Sequence, residues 1–246
     1  MIDRILRLFF PPTCVCCGEL MDWYTCKRTT VLCGKCLKGF ADEREETCDR
    51  CAKRIGECRC MPPVLKRVGC RGFFKLVNYH RGETERASNR LIYTVKNREM
   101  PRVQEFLAAE LAPSVKAIAR EAEDPSRLVL TYLPRSAPAK RKNGTDQAQM
   151  LARALSATTG VPMKPLFRRR FGSRKIQKKL SFEERMKNAD SAFALIDGTE
   201  LKNVSVILVD DVVTTGASMA ACIRQLHRVG VKRVYSLAVA TNLDKK

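Results

Sequence analysis

The stretch Val206-Ile207-Leu208-Val209-Asp210-Asp211-Val212-Val213-Thr214-Thr215-Gly216-Ala217-Ser218 decides the fold. Its opening run of aliphatic residues has the length and branching of a strand buried on both faces, so a strand is expected over 204–209. Two carboxylates stand directly after that run, followed by the tight turn Thr214-Thr215-Gly216 and a helix opening near Ala217. In open α/β sheets ligands bind beyond the carboxyl ends of the strands. Backbone N–H groups at a helix start, with the helix dipole behind them, suit a phosphate. Adjacent carboxylates at the same edge can accept hydrogen bonds from vicinal hydroxyls. A ribose 5′-phosphate fits this pattern, with Asp210 and Asp211 on the hydroxyls and the turn on the phosphate. An aliphatic run ending in Asp-Asp also describes a Walker B strand, but that requires a G-x-x-x-x-G-K-[ST] segment, which the chain lacks.

Outward from this segment, strand-like and helix-like stretches alternate. Phe73 to Val77, Arg127 to Tyr132 and Arg233 to Ala240 read as strands. Glu85 to Lys96, Val103 to Ala122, Gln147 to Thr158 and Ala217 to Val229 read as helices. The alternation implies an α/β fold with a mostly parallel sheet covered by helices on both faces.

Eleven of the twelve cysteines fall within residues 14–70 and mark a separate N-terminal module, with a boundary expected between 1–65 and 66–246. Cys14-x2-Cys17 and Cys33-x2-Cys36 are separated by 15 residues, the spacing of a structural zinc site built from two knuckles. Gly18 and Gly34 lie at or beside these knuckles. Cys48-x2-Cys51 and Cys58-x-Cys60 form a tighter second set, able to hold a second zinc. Spacing alone leaves a crossed arrangement open, in which the first and third pairs share one ion. Four thiolates leave no open coordination position, which means structural rather than catalytic metal. Disulfides are the alternative, disfavoured in a reducing compartment. Cys16 and Cys26 fall outside the paired spacing, and Cys70 lies past it.

The 46 Lys and Arg against 26 Asp and Glu give a net charge of +20, an excess that suits either polyanion partners or a solvated basic surface. Seven of these cations stand in residues 168–179, without an acid among them. No run approaches the length of a membrane span. Residues 1–12 read as helical turns with an apolar face, so a cytoplasmic location is expected, with peripheral attachment at the inner membrane face as a further option. His80 and His227 do not read as catalytic bases.

Together these features resemble the ComF family, named for competence for DNA uptake, in which a cysteine-rich zinc module precedes a type I phosphoribosyltransferase domain. The 206–218 segment looks like that fold's phosphoribosyl pyrophosphate motif. Leu133-Pro134-Arg135-Ser136 lies where the family places its pyrophosphate loop, with Lys140 and Arg141 just downstream. Asn143-Gly144-Thr145-Asp146-Gln147 stands where relatives usually read Arg-Gly-Phe-Asn-Gln. Gln177-x2-Leu180-x4-Arg185-x2-Asn188-x3-Ala192-Phe193 matches a further family motif, with Arg174 where a Thr is usual.

The resemblance implies displacement of pyrophosphate from the anomeric carbon by an acceptor nucleophile, through an oxocarbenium-like transition state and with Mg²⁺ on the substrate. Asp210 and Asp211 would hold the ribose hydroxyls. Thr214, Thr215, Gly216, Ala217 and Ser218 would bind the 5′-phosphate, and Pro134, Arg135 and Ser136 the pyrophosphate. The basic segment 168–179 falls where such folds carry a lid. The alternative is a non-enzymatic protein that handles single-stranded DNA through the same site, or an adaptor for a competence helicase or membrane channel. A homodimer is a further expectation.

Overall fold

The computed structural model describes residues 11–22, 26, 30–80, 82–97, 100–136, 144–170, 190–196 and 201–242. Residues 1–10, Lys140, Arg141 and the stretch 171–189 lie outside these, and with them most of the basic segment and of the Gln177 motif.

Four strands make the main sheet: β1 (Gly72–Asn78), β2 (Leu128–Tyr132), β5 (Ser205–Val213) and β6 (Arg233–Thr241), in the order β1-β6-β5-β2 with every neighbouring pair parallel. Residues 162–164 lie along the outer edge of β2. A short antiparallel pair, β3 (Phe167–Arg169) with β4 (Phe193–Leu195), stands apart from the sheet. The helices whose bounds lie among the described residues are α1 (Gly34–Glu45), α2 (Pro63–Arg67), α3 (Ala87–Asn97), α4 (Pro101–Glu121), α5 (Gln147–Thr159) and α6 (Ala217–Arg228).

The two-residue period of each strand sorts its side chains between two cores. Phe74, Leu130, Ile207, Val209, Tyr235 and Leu237 face α3, α4 and α5. Phe73, Val129, Val206, Leu208 and Val234 face α2 and α6. The continuous apolar runs thus follow from burial on both sheet faces.

β5 differs from the expected strand at its carboxyl end. It runs on through Asp210 and Asp211 to Val213, because its ladder with β6 continues to the Val213–Thr241 pair. The carboxylates therefore lie within the strand instead of after it. On its other side β5 loses its partner earlier, since the pairing with β2 ends at Tyr132–Val209.

The cysteine-rich segment packs into the first core. Cys14, Met21, Val31, Leu32, Cys36 and Phe40 share one buried cluster with Leu76, Leu91 and Ile92. Glu43 of α1, buried, accepts hydrogen bonds from the first backbone N–H groups of α3, Ala87 at 2.8 Å and Ser88 at 3.3 Å. A carboxylate there satisfies orphan donors and meets the positive end of the helix dipole. Gly18 adopts the left-handed conformation a knuckle requires, at φ +77°. Gly34 does not, and instead opens α1.

Candidate functional site

β2 and β5 are adjacent and parallel, yet the chain leaves them in opposite directions. After β2 it passes to α5 on one face of the sheet, and after β5 to α6 on the other. Such a switch point is where open α/β sheets leave a crevice for a ligand, at the carboxyl ends of the two strands.

Asp210 and Asp211 line it from β5, both half-buried. Asp210 Oδ1 accepts from the Asp211 N–H at 2.9 Å, and Asp211 Oδ1 from the Val212 N–H at 2.8 Å. From the β2 side, Arg135 Nη2 donates to Asp211 Oδ2 at 2.8 Å, while its backbone N–H donates to Asp146 Oδ2, also at 2.8 Å. Desolvation, followed by the neighbouring Asp211 charge, pushes the Asp210 carboxyl well above the usual carboxylate range.

The turn that follows is shaped by Gly216, at φ +77° immediately before α6. A Cβ there would stand 3.1 Å from Val64 Cγ1 and 3.2 Å from Leu65 Cγ, so glycine answers both the backbone angle and the close approach of α2. Thr214 is exposed, Thr215 and Ser218 are half-buried, and Ala217 is buried as the first residue of α6. Thr215 Oγ1 accepts from the Ala217 N–H at 3.4 Å. Pro134 is buried, whereas Arg135 and Ser136 are partly open to the crevice. Of the residues named from the sequence, Arg135 of the 133–136 loop meets Asp211 of β5, and the 214–218 turn follows β5 directly.

A family model described as "Phosphoribosyl transferase domain" matches residues 141–246. Residues 141–246 are thus similar to a phosphoribosyl transferase domain. β5, β6 and the turn before α6 lie within the matched span, whereas β1, β2 and Arg135 precede it. The likeness to the ComF family has a counterpart among curated proteins. Competence protein F of Haemophilus influenzae is 31% identical over 94 residues, which cover 38% of this chain and 41% of that protein. The match thus spans about two-fifths of the relative's length.

Solved structures similar to the chain include the allosteric regulatory enzyme of purine biosynthesis, at 17% identity, TM-score 0.34 and coverage of 55% of this chain and 26% of the other. The purine phosphoribosyltransferase of Pyrococcus horikoshii is 17% identical, with TM-score 0.30 and coverage of 54% and 73%. The adenine phosphoribosyltransferase of Leishmania tarentolae is 14% identical, with TM-score 0.34 and coverage of 56% and 71%.

N-terminal to the matched span, the eight paired cysteines form two groups, Cys14, Cys17, Cys33, Cys36 and Cys48, Cys51, Cys58, Cys60, each with its sulfurs within 4.8 Å of one another. This is the sequential pairing, and the crossed one is not adopted. Sulfurs around a tetrahedral zinc stand about 3.8 Å apart, from a Zn–S distance of about 2.3 Å. Cys17 and Cys33 are 3.6 Å apart, Cys51 and Cys58 3.6 Å, and Cys48 and Cys58 3.4 Å. Both groups could hold zinc. Burial raises the Cys14 thiol, but backbone N–H groups of Cys33, Cys17 and Cys16 outweigh it and bring it down to about 7. None of the cysteines in the described residues forms a disulfide. Cys16 Sγ instead donates to the Ala87 carbonyl at 3.4 Å, and Cys70 lies 3.3 Å from Ser236 Oγ.

Three residues escape sequence reasoning. Arg169 ends β3 beside the Phe193 ring, 5.1 Å from its centroid, with a buried Nε that has no hydrogen-bond partner. Burial lowers its guanidinium first, against support from Cys222 and Asp146. Fully buried Cys222 of α6 has a thiol raised by desolvation and then by the Asp210 charge. Lys75 is buried in the middle of β1, on the sulfur of Cys58. In sequence these are one arginine in a basic run, one helix residue and one interruption of an apolar strand. His227 is a packing residue, its Nδ1 2.7 Å from the Val231 carbonyl at the end of α6.

Proposed function

We propose that the crevice between β2 and β5 binds phosphoribosyl pyrophosphate with Mg²⁺ and transfers its phosphoribosyl group to a nitrogen nucleophile. The observation that carries this reading is the Arg135–Asp211 pair, which joins the two halves that such a substrate would occupy. Asp210 and Asp211 present two adjacent carboxylates to one guanidinium, and burial first, then the Asp211 charge, pushes the Asp210 carboxyl up. A hard divalent cation suits such a donor set. Asp210 and Asp211 would hold the ion through the ribose hydroxyls and water, where it supplies charge neutralisation for the departing pyrophosphate.

The chain's own residues do the rest by positioning. The carboxylates accept from the 2′- and 3′-hydroxyls and fix the sugar ring. The N–H groups at the start of α6, with Thr214, Thr215 and Ser218, take the 5′-phosphate. Arg135, released from Asp211, turns to the pyrophosphate and stabilises the charge that accumulates there as the glycosidic bond breaks. No residue of the site need act as a nucleophile.

In this reading residues 1–65 are a zinc-bearing module that stiffens the domain, and the whole chain serves in DNA uptake, as its resemblance to the ComF family implies, supported by the likeness to Competence protein F of Haemophilus influenzae. The net charge of +20 favours a second reading, in which the same protein grips single-stranded DNA. Pyrophosphate release from phosphoribosyl pyrophosphate in Mg²⁺ buffer, assayed across nitrogenous acceptors, tests the transfer. Acceptor-dependent release abolished by Asp210→Asn with Asp211→Asn is expected. Binding without release under every condition would move the site to the second reading. That reading predicts single-strand affinity falling steeply with salt.

A further inference from the structure

Lys75 stands at the centre of β1, 1% exposed, and its Nζ donates to Cys58 Sγ at 3.2 Å. Cys58 itself is fully buried. A lysine is almost never buried unless paired, because desolvating an ammonium is costly. Among the described residues no carboxylate pairs with Lys75; its partner is the sulfur.

The same sulfur accepts from the Cys60 backbone N–H at 3.3 Å and lies 3.4 Å from Cys48 Sγ and 3.6 Å from Cys51 Sγ. Consecutive residues Cys58 and Arg59 meet consecutive strand residues. Cys58 meets Lys75, and the Arg59 guanidinium sits over the Phe74 ring at 3.8 Å from its centroid. Adjacent residues of a strand point to opposite faces, so the segment carrying Cys58 is held against the end strand of the sheet from both sides.

A Zn²⁺ ion bound by four thiolates carries a net charge of −2, and an ammonium hydrogen-bonded to one sulfur offsets part of it. Outer-shell donors of this kind orient a metal ligand and tune the metal. We infer that Lys75 is a positioning residue for the Cys48, Cys51, Cys58, Cys60 centre: its buried ammonium holds the Cys58 thiolate and ties that metal to β1 of the main sheet. The inference rests on the reading of this group as a metal site. Among the described residues no lysine meets the sulfurs of the other centre, Cys14, Cys17, Cys33, Cys36, which serves as an internal reference.

The full-length chain is loaded with Co²⁺ in place of zinc, and metal release to a chelator is followed together with the sulfur-to-cobalt charge-transfer absorption. Wild type is expected to hold two ions. In Lys75→Met the second centre should release its ion about 10- to 100-fold faster, with its charge-transfer band moved to lower energy, while the first centre is unchanged. Lys75→Gln keeps an N–H donor without the charge and should fall between the two. If the Met variant does not accumulate as folded protein, Gln against wild type decides. Release and absorption at the second centre equal to wild type in the Gln or the Met variant would overturn the inference and leave Lys75 a packing residue. A wild type that holds only the first ion would overturn the metal reading of the second group, and the inference with it.

Discussion

Arg135 and Asp211 hold each other across the crevice, Nη2 to Oδ2 at 2.8 Å, with side chains 19% and 14% exposed. One comes from the loop after β2 and the other from β5, so the contact spans the boundary where those strands part. The pair keeps the crevice in one shape before any ligand enters, and a ligand that takes over both partners must break it. Asp211 on sugar hydroxyls and Arg135 on pyrophosphate would make that exchange nearly isoelectric.

Arg135→Ala leaves Asp211 desolvated beside Asp210 with no cation. The expected loss is about 2–4 kcal/mol of unfolding free energy, toward the low end because both side chains retain some exposure. Adding Asp211→Asn should recover part of it. A coupling energy of about 0.5–3 kcal/mol in this double-mutant cycle, read from denaturant unfolding, is the expected result. Strict additivity would show that the pair contributes nothing.

The raised Asp210 carboxyl makes a stability prediction opposite to that for its function. A carboxyl whose folded pKa lies above its unfolded value contributes stability below the unfolded pKa and loses it as pH rises through the folded one. Near neutrality wild type has therefore lost stability that the desolvated Asp210 carboxyl contributes at low pH. Asp210→Asn should raise the melting temperature at pH 7, each kcal/mol adding about 2–4 °C, and the gain should shrink as pH falls toward the unfolded carboxylate value of about 3.9. The same variant should lose ligand binding. Equal melting temperatures across that range would remove the argument.

Gly216→Ala combines positive φ with close contacts to Val64, Leu65 and Pro62 at 3.1–3.3 Å. Strain in the left-handed region and displacement of α2 together should cost about 1–3 kcal/mol. The turn at the start of α6 moves with α2, so affinity for a 5′-phosphate should fall as well. Thermal unfolding and phosphate titration of the purified variant read the two effects separately.

Much of this was legible in the sequence. Largely apolar runs at Leu128–Tyr132, Ser205–Val209 and Val234–Ala240 announce strands buried on both faces, and the cysteine spacing announces the pairs, though only the fold shows which pairs share a group. What escaped has physical causes. The strand's continuation through Asp210 and Asp211 is imposed by β6, a partner distant in sequence. β3 and β4 are three residues each, and what lies between them hides their pairing. α1 has a largely charged sequence whose inward face is little more than Cys36, Phe40 and Glu43. Lys75 interrupts an apolar run as a solvent-facing residue would, and only the fold brings Cys58 to it.

The shared core predicts how the cysteine module behaves when metal is removed. Cys14, Cys36 and Phe40 are buried with Leu76, Leu91 and Ile92, and Glu43 caps α3. Chelation of zinc should therefore lower the melting of the whole chain and raise hydrogen exchange in β1 and α3, not only within residues 11–60. Unchanged exchange in β1 and α3 would mean the module stands on its own.

The central claim is tested most directly by titrating phosphoribosyl pyrophosphate with Mg²⁺ into the zinc-loaded chain in a calorimeter, beside the folded Asp210→Asn, Asp211→Asn variant. Saturable binding near one equivalent per chain, lost in the variant and weakened without Mg²⁺, is the predicted result. No heat of binding to a folded, zinc-loaded wild type, or equal binding by the variant, would contradict it.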